Sequence, residues 1–248
     1  RAHADYPLVV AANRDEFHRR PAAVADWWSD RPILAGRDLE AGGTWFGVNR
    51  HGRFAAVTNF RDPSSRPVDA RSRGELVVDT LQADSSGGAW LDVLEARRTV
   101  YNGFNLVFGS RDGVFSYSNR SREPGVLDRG VYGLSNHLLE TPWPKVVRGK
   151  AKLAHCLAGS PPDLVGPLLD LLDDREPVRD EHLPATGVSL EWERLLSPMF
   201  IVSPDYGTRA STVLVVRQDG LAEFAERAFD PSGKVVSERL YKFQVVSQ

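Results

Sequence analysis

Blocks of apolar and polar residues along the chain predict a mixture of strands and helices. The apolar residues 7–12 predict a buried strand that ends at the polar residues 13–16. Residues 43–48 and 54–60 predict two paired strands, whereas residues 17–41 contain Pro and Gly breakers and are expected to be irregular.

The remaining pattern groups helices and strands in alternating sets. Ser72 and Glu75 have the spacing of a capping box, so a helix is predicted to start at Ser72. Further helices are predicted at residues 88–98, 144–158 and 162–173, and further strands at 104–110, 114–119, 131–134, 199–203, 211–217 and 221–229, with a last strand after the turn at residues 231–234.

Grouped helices argue against a doubly wound parallel sheet, in which single helices alternate with strands. The order favours an α+β fold in which two antiparallel sheets pack together between outer helices, a four-layer αββα sandwich. We expect residues 1–248 to form one domain, with residues 174–198 as an irregular excursion or lid.

Composition excludes several classes of function. The 248 residues are 42% hydrophobic and carry a net charge of −2, so there is no basic excess for binding nucleic acid. No apolar stretch approaches the ~20 residues that span a bilayer. The single cysteine, Cys156, excludes an internal disulfide framework, and a reducing cytoplasm is the expected location.

The cluster Asn13-Arg14-Asp15-Glu16 is the strongest candidate for a site. Charged groups next to a buried strand cost free energy unless they are paired or used, so the cluster is either an ion-pair network or a functional site. Polar residues also end or begin other predicted strands, and among them Asn59 and Asn136 can donate to an oxyanion, while Arg209 can bind a carboxylate such as Asp15.

Other familiar chemistry is absent from the sequence. It contains no phosphate-binding Gly-rich loop, no His-Glu-x-x-His and no Gly-x-Ser-x-Gly elbow. The six histidines have no spacing typical of local metal ligation, and no metal site is predicted.

Several segments, in order along nearly the whole chain, resemble one family closely. It is named for its Asn-Arg-Asp-Glu motif and is also called the transport and Golgi organization protein 2 family. The matching segments are residues 11–16, 42–47, 58–61, 72–74, 101–106, 134–136, 141–145 and 206–209.

The resemblance implies the αββα fold of N-terminal nucleophile hydrolases, in which the first residue of the mature chain is the nucleophile and its α-amine is the base. By position, it implies that Asp15 holds this amine, that Asn59 and Asn136 serve the oxyanion and the amine, and that Arg209 tunes the thiolate. Binding roles are expected for Asn13, Arg14, Glu16, Trp45 and Trp143.

Family members usually begin with Met-Cys and an apolar strand, whereas this sequence begins at Arg1. We therefore expect the native first strand and its Cys to be missing. Cys156 is expected to be an inert small hydrophobe within a helix.

Two functions remain open beside a purely structural or scaffold role, for which the sequence offers no heptads, repeats or peptide-binding signature. The first is an amide or thioester hydrolase with an upstream Cys nucleophile and no required cofactor. The second is a non-catalytic carrier of haem or of an acyl-coenzyme A or lipid, which the resemblance also implies. Haem would need an axial ligand, for which His18, His51 and His137 are candidates. The aromatic residues Trp45, Phe46, Phe60 and Trp143 can line such a pocket or pack in the core. Either way, a small acyl or tetrapyrrole ligand is expected.

Overall fold

A computed structural model describes residues 3–64, 69–121, 125–159 and 163–246, and within them two antiparallel sheets pack face to face. The first sheet has the order β1-β9-β10-β11. Its strands are β1 (Leu8–Phe17), β9 (Tyr206–Val216), β10 (Leu221–Phe229) and β11 (Val235–Gln244).

The second sheet runs in sequence order from β2 to β8, as expected for strands joined by short connections. Its strands are β2 (Ala22–Trp27), β3 (Ile33–Asp38), β4 (Phe46–Asn49), β5 (Phe54–Asn59), β6 (Phe104–Ser110), β7 (Gly113–Ser118) and β8 (Gly125–Leu127).

Helices cover the outer face of each sheet. Helices α1 (Gly74–Gln82) and α2 (Gly87–Ala96) pack on the second sheet through a core that includes Leu76, Leu94 and Phe104. Helices α3 (Pro144–Leu157) and α4 (Val165–Leu172) pack on the first sheet. A third apolar core, with Phe46 and Phe224, lies between the sheets, so the predicted four-layer αββα sandwich is confirmed. Within the described ranges, no helix is long and apolar enough to cross a bilayer.

The prediction that residues 17–41 are irregular is wrong, because β2 and β3 lie there. Pro21 and Pro32 each stand directly before a strand, where a missing backbone donor is tolerated. Gly36 lies inside β3, where a Cβ atom would come within 2.4 Å of the Trp45 ring. The residues that resemble breakers therefore flank the strands or allow close packing.

The capping box is also absent, since α1 begins at Gly74 and Arg73 occupies its N-cap position without a side-chain cap. The carboxylate of Glu75 instead pairs with Arg71 and accepts a hydrogen bond from the Tyr101 hydroxyl.

Two short predicted strands do not form. No strand forms at residues 131–134 or 199–203. The strands at the two edges of the second sheet are β2 and β8. The excursion at residues 174–198 contains a short 3-10 turn (Asp180–His182) and the helix α5 (Leu190–Leu195).

A buried carboxyl group links the two sheets. Glu226 on β10 accepts hydrogen bonds from the backbone N–H of Ala25 on β2, at 2.7 Å, and from Thr212 Oγ1 on β9, at 3.2 Å. Burial raises the pKa of Glu226 to about 7, although these hydrogen bonds and the charge of Arg14 favour the ionised form.

We therefore expect the free energy of unfolding to fall as the pH rises, and we expect Glu226→Gln to remove this fall. Folded Glu226 keeps its proton to about pH 7 while the unfolded chain loses it near 4.5, so the free energy of unfolding falls as the pH rises between these values. The fall should be about 3 kcal/mol. Urea unfolding at about pH 5 and about pH 8 measures it.

The control is Glu238→Gln, which changes an exposed carboxylate on β11 paired with Arg227. This variant should retain the fall in the free energy of unfolding with rising pH. If Glu226→Gln retained it as well, another group would be responsible.

Candidate functional site

A cavity of about 550 Å³ lies beside the end of β1, between the second sheet and the helices of the first. Six consecutive residues of β1, residues 11–16, line it. Because successive side chains of a strand point to opposite faces, a cavity lined by all six must run along the edge of the strand. Other lining residues include Trp45, Phe46, Thr58, Asn59, Arg73, Ser135, Asn136, Lys145, Leu153, Leu172, Met199 and Tyr206.

The predicted polar cluster belongs to this strand and does not follow it. β1 extends to Phe17 and pairs with β9, with a bulge after Arg14. Arg14 faces Ala210 and Asp15 faces Thr208, so Arg209 is the extra residue of the bulge. The prediction that the strand ends before Asn13 was wrong because β9 continues to pair with the polar residues.

Asp15 lies in the cavity wall. Its Oδ1 accepts a hydrogen bond of 2.6 Å from Thr208 Oγ1, which the bulge brings onto the same face. Burial raises the pKa of Asp15, while the Lys145 ammonium group, the Thr208 hydrogen bond and the Arg61 guanidinium oppose the rise. The carboxylate is therefore costly to bury and is held by specific neighbours.

Asn13 joins three parts of the fold through its side chain. Its Nδ2 donates to the carbonyl oxygens of Leu172 and Met199, each at 2.9 Å, and its Oδ1 accepts from Ser211 Oγ at 2.6 Å. These bonds connect β1 with the end of α4 and with β9. Asn13 lines the cavity, and its amide group is used for structure.

Arg14 points to the opposite face, toward the second sheet. Its guanidinium carbon lies 4.3 Å from the centroid of the Trp45 ring, and only 8% of the residue is exposed. Burial lowers the pKa of Arg14, and Glu16 and Asp38 counteract this without forming an ion pair with it. Among the described residues, no carboxylate lies within 4.0 Å of the Arg14 guanidinium and no side chain or carbonyl hydrogen-bonds to it.

Glu16 does not pair with Arg14. Its Oε1 accepts from the backbone N–H of Phe17, and its Oε2 lies 4.0 Å from Arg20 Nε. Arg20 in turn binds Asp38, with Nη2 at 2.7 Å from the carboxylate. A network of fixed charges therefore borders the cavity next to Arg14.

Asn59 and Asn136 meet at the same cavity, as the sequence predicted only by analogy. Asn136 Nδ2 donates to the backbone carbonyl of Asn59 at 3.1 Å, and both residues line the cavity. Thr58 Oγ1 donates to the Ser135 carbonyl at 2.9 Å, which joins the end of β5 to the segment before α3. The Asn59 side chain is exposed at the end of β5.

Arg209 and Trp143 do not line this cavity. Arg209 Nη1 donates to three backbone carbonyls, those of Phe17, His18 and Arg20, each at 3.1 Å, and so holds the turn after β1. The Trp143 ring lies 5.0 Å from the guanidinium carbon of Arg61. Of the four residues predicted for catalysis, the structure brings Asp15, Asn59 and Asn136 together.

Lys145 is a cavity residue that the sequence reasoning missed. It is 9% exposed, its Nζ donates to the Leu196 carbonyl at 2.9 Å, and burial lowers its pKa to about 8. A signal was present in the sequence: Lys145 follows Pro144 at the start of a predicted helix, where the positive end of the helix dipole disfavours a cation. A lysine at this position is therefore expected to be stabilised by contacts in the tertiary structure.

The candidate haem ligands lie elsewhere. His18 contacts the Ser203 carbonyl, His51 the Val246 carbonyl, and His137 the hydroxyl of Thr141. No histidine lines the cavity within the part of the chain that is described, and no group of three or more His, Cys, Asp or Glu residues there is placed to hold a metal ion. Cys156 is a partly buried free thiol on α3, packed beside the core under the first sheet.

Comparison with known proteins gives consistent matches along the chain. The sequence model of the family Transport and Golgi organisation 2 matches residues 1–231. The Transport and Golgi organization protein 2 homolog of Bos taurus is 40% identical over 244 residues, covering 90% of this chain and 87% of the relative. The homolog of Homo sapiens is 37% identical over 264 residues, covering 98% and 94%.

One match among solved structures is a mutant of the conjugated bile acid hydrolase from Clostridium perfringens. It is 8% identical to this chain, with a TM-score of 0.44 over 99% of this chain and 93% of the hydrolase chain.

We expect Asn13→Ala to destabilise the protein. The change removes both hydrogen-bond donors from the Leu172 and Met199 carbonyls, so the free energy of unfolding should fall by about 2–4 kcal/mol, as for two buried acceptors left unpaired. Urea unfolding measures the difference. Asn59→Ala is the matched control, because its exposed side chain should contribute within about 0.5 kcal/mol. Equal stability of the two variants would contradict the structural role of Asn13.

Proposed function

Because the chain belongs to the Transport and Golgi organisation 2 family, whose resemblance to N-terminal nucleophile hydrolases suggests acyl chemistry, we propose that the cavity binds a small acyl compound and cleaves its amide or thioester bond. The nucleophile would be an N-terminal Cys ahead of Arg1. One observation carries the proposal: Asp15, Asn59 and Asn136, assigned to these roles by analogy, line a single cavity.

In the proposed mechanism, the free oxygen of the Asp15 carboxylate accepts a hydrogen bond from the α-amine of the Cys. The amine takes the thiol proton, and the thiolate attacks the acyl carbonyl. The tetrahedral intermediate then breaks its C–N or C–S bond, and the leaving amine or thiol takes the proton from the α-ammonium group. Water attacks the acyl-thioester of the Cys, which releases the acid and restores the thiol. The exposed amide of Asn59 donates to the developing oxyanion. Asn136 positions the end of β5 through the Asn59 carbonyl.

The unpaired edge of β1 supports the proposal that the Cys lies next to Asp15. β1 pairs only with β9 among the described strands, and the cavity runs along its other edge. A strand that precedes Arg1 would pair with this open edge, since an unpaired strand edge is a template for another strand. Such a strand would fill part of the cavity and bring its residues next to Asp15.

The first experiment determines the mature N-terminus of the protein expressed from its complete native gene, by intact mass and N-terminal sequencing. We expect a Cys as the first residue, and hydrolysis of at least one compound in a panel of acyl-amides and acyl-thioesters. Asp15→Asn and Asn59→Ala should each lower kcat/KM by about a hundredfold or more.

The control for the charge change is Asp170→Asn, at an exposed carboxylate that pairs with Arg227. It should leave kcat/KM unchanged. A mature chain without an N-terminal Cys, or a Cys-bearing protein inert toward the whole panel, would remove the hydrolase proposal.

A second candidate is favoured by Arg14. A buried guanidinium that contacts an aromatic ring and no carboxylate is suited to bind an anionic ligand group, because its donors lack protein partners. Elsewhere in the cavity wall, Leu153, Leu171 and Leu172 of the helices offer apolar surface for an acyl chain. We therefore propose, as the alternative, a non-catalytic carrier of an anionic acyl compound such as an acyl-coenzyme A. Haem is the less supported ligand, because none of the candidate histidines contributes to the wall.

We expect Arg14→Gln to raise the Kd for palmitoyl-coenzyme A about tenfold or more, as for a lost hydrogen bond to a charged group. Isothermal titration measures it, with the exposed Arg179→Gln as control. Wild-type protein that binds no palmitoyl-coenzyme A would contradict the carrier proposal. A haem titration with a Soret shift that Arg14→Gln leaves unchanged would favour haem instead.

For either function, we propose a cytoplasmic location, which the single cysteine supports.

A further inference from the structure

Lys145 is a buried cation that the proposed mechanism does not use. It is the second residue of α3, and it shares the cavity wall with Asp15 on β1. Its ammonium group donates to one carbonyl, that of Leu196, which follows α5. An ammonium group has three donors, so a buried lysine with one carbonyl partner relies on nearby negative charge.

Asp15 is the carboxylate that most strongly favours the charged form of Lys145. The charge of Asp15 is the largest influence that favours the ammonium form of Lys145, and Lys145 is the largest influence that favours the carboxylate form of Asp15. The two side chains form no ion pair with each other, and each keeps hydrogen-bonding capacity beyond its bond to Thr208 or to the Leu196 carbonyl.

The other cation near Asp15 is committed elsewhere. Arg61 follows β5, and its Nη1 lies 3.0 Å from Glu193 Oε2, with both side chains at most 10% exposed. Glu193 on α5 also accepts from the backbone N–H and the hydroxyl of Thr186, at 2.7 and 2.6 Å. Arg61 therefore neutralises the charge of Glu193, and it favours the carboxylate form of Asp15 without forming an ion pair with it.

The charged groups with the largest influence on the pair come from β1, α3, α5 and the loop after β5. Asp15 is influenced by Lys145 from α3, Arg61 from the loop after β5 and Glu16 from its own strand, and it acts on Tyr206 of β9. Lys145 is influenced by Asp15, Arg61 and Glu193. Glu16 opposes ionisation of Asp15, whereas Glu193 pairs with Arg61 and favours the ammonium form of Lys145.

We propose that Lys145 is a positioning residue that favours the carboxylate form of Asp15 in the cavity wall and so opposes the effect of burial. The role rests on the proposed hydrolase function, in which the negative charge of the Asp15 carboxylate stabilises the α-ammonium group that forms when the amine takes the thiol proton. The excursion at residues 174–198 takes part, because the Leu196 carbonyl fixes the ammonium group and Glu193 holds Arg61.

The test follows the titration of Asp15 directly by NMR of protein with ¹³C-labelled Asp carboxyl groups, with its resonance assigned by loss in Asp15→Asn. We expect Lys145→Met to raise the apparent pKa of Asp15 by about 1–3, the range for loss of one nearby opposite charge. Lys145→Arg, which keeps the charge, should restore most of the wild-type titration. Lys152→Met removes a charge from the same helix that pairs with Asp174, and should change nothing.

A reciprocal measurement tests the same coupling if Lys145→Met does not fold. Asp15→Asn should lower the pKa of Lys145, followed by NMR of ¹³C-labelled lysine, by as much as Lys145→Met raises that of Asp15. A titration of Asp15 unchanged in Lys145→Met, or of Lys145 unchanged in Asp15→Asn, would overturn the proposal.

Both measurements use protein without substrate, so they separate this inference from the proposed function. Coupled titrations in a protein inert toward every acyl compound would leave the Lys145 role standing and remove the hydrolase. Hydrolysis with uncoupled titrations would do the reverse.

Discussion

The pairing of β1 with β9, and the bulge within it, is the constraint on which the site depends. Side chains of a strand alternate between its faces, so continuous pairing through residues 13–16 sends Asn13 and Asp15 toward the helices and Arg14 and Glu16 toward the second sheet. The bulge at Arg209 then places Thr208 under Asp15. Without that extra residue, Thr208 would face the other side and the carboxylate would lose its hydrogen-bond donor.

The polar side chains next to the core differ in how completely the fold satisfies their hydrogen bonds. Those that are fully satisfied have a structural role, and the others can contact a ligand. Asn13 uses both ends of its amide within the fold, and Arg209 donates to three carbonyls. Arg61 and Glu193 form a buried ion pair with added hydrogen bonds, the arrangement in which buried charge is tolerated. Arg14, Asp15 and Lys145 are less completely partnered, and all three line the cavity. The available polar groups are therefore concentrated where a ligand would bind.

The excursion at residues 174–198 is part of the site's support. Glu193 contacts Arg61, and the Leu196 carbonyl accepts from Lys145, so two residues in or beside α5 hold two cations near Asp15. The aromatic ring of Trp192 packs against Tyr206, which lines the cavity. A segment with few predicted elements thus sets the electrostatics of the β1 end through a small number of specific contacts.

The sequence by itself determined the family, the four-layer architecture and most of the elements, because these depend on local apolar patterns and on motifs that keep their order along the chain. It also predicted, by analogy, that Asp15, Asn59 and Asn136 share one site, and all three line the cavity. It did not predict β2 and β3, because Pro21 and Pro32 mark the start of a strand as readily as the end of one, and only pairing with a neighbour decides between them. The tertiary structure alone decided that Arg209 supports a turn, that Glu16 lies nearest Arg20, and that Lys145 stands in the same wall as Asp15. Those partners are up to about 190 residues apart in sequence, and pairing between buried charges depends on distances that no local pattern encodes.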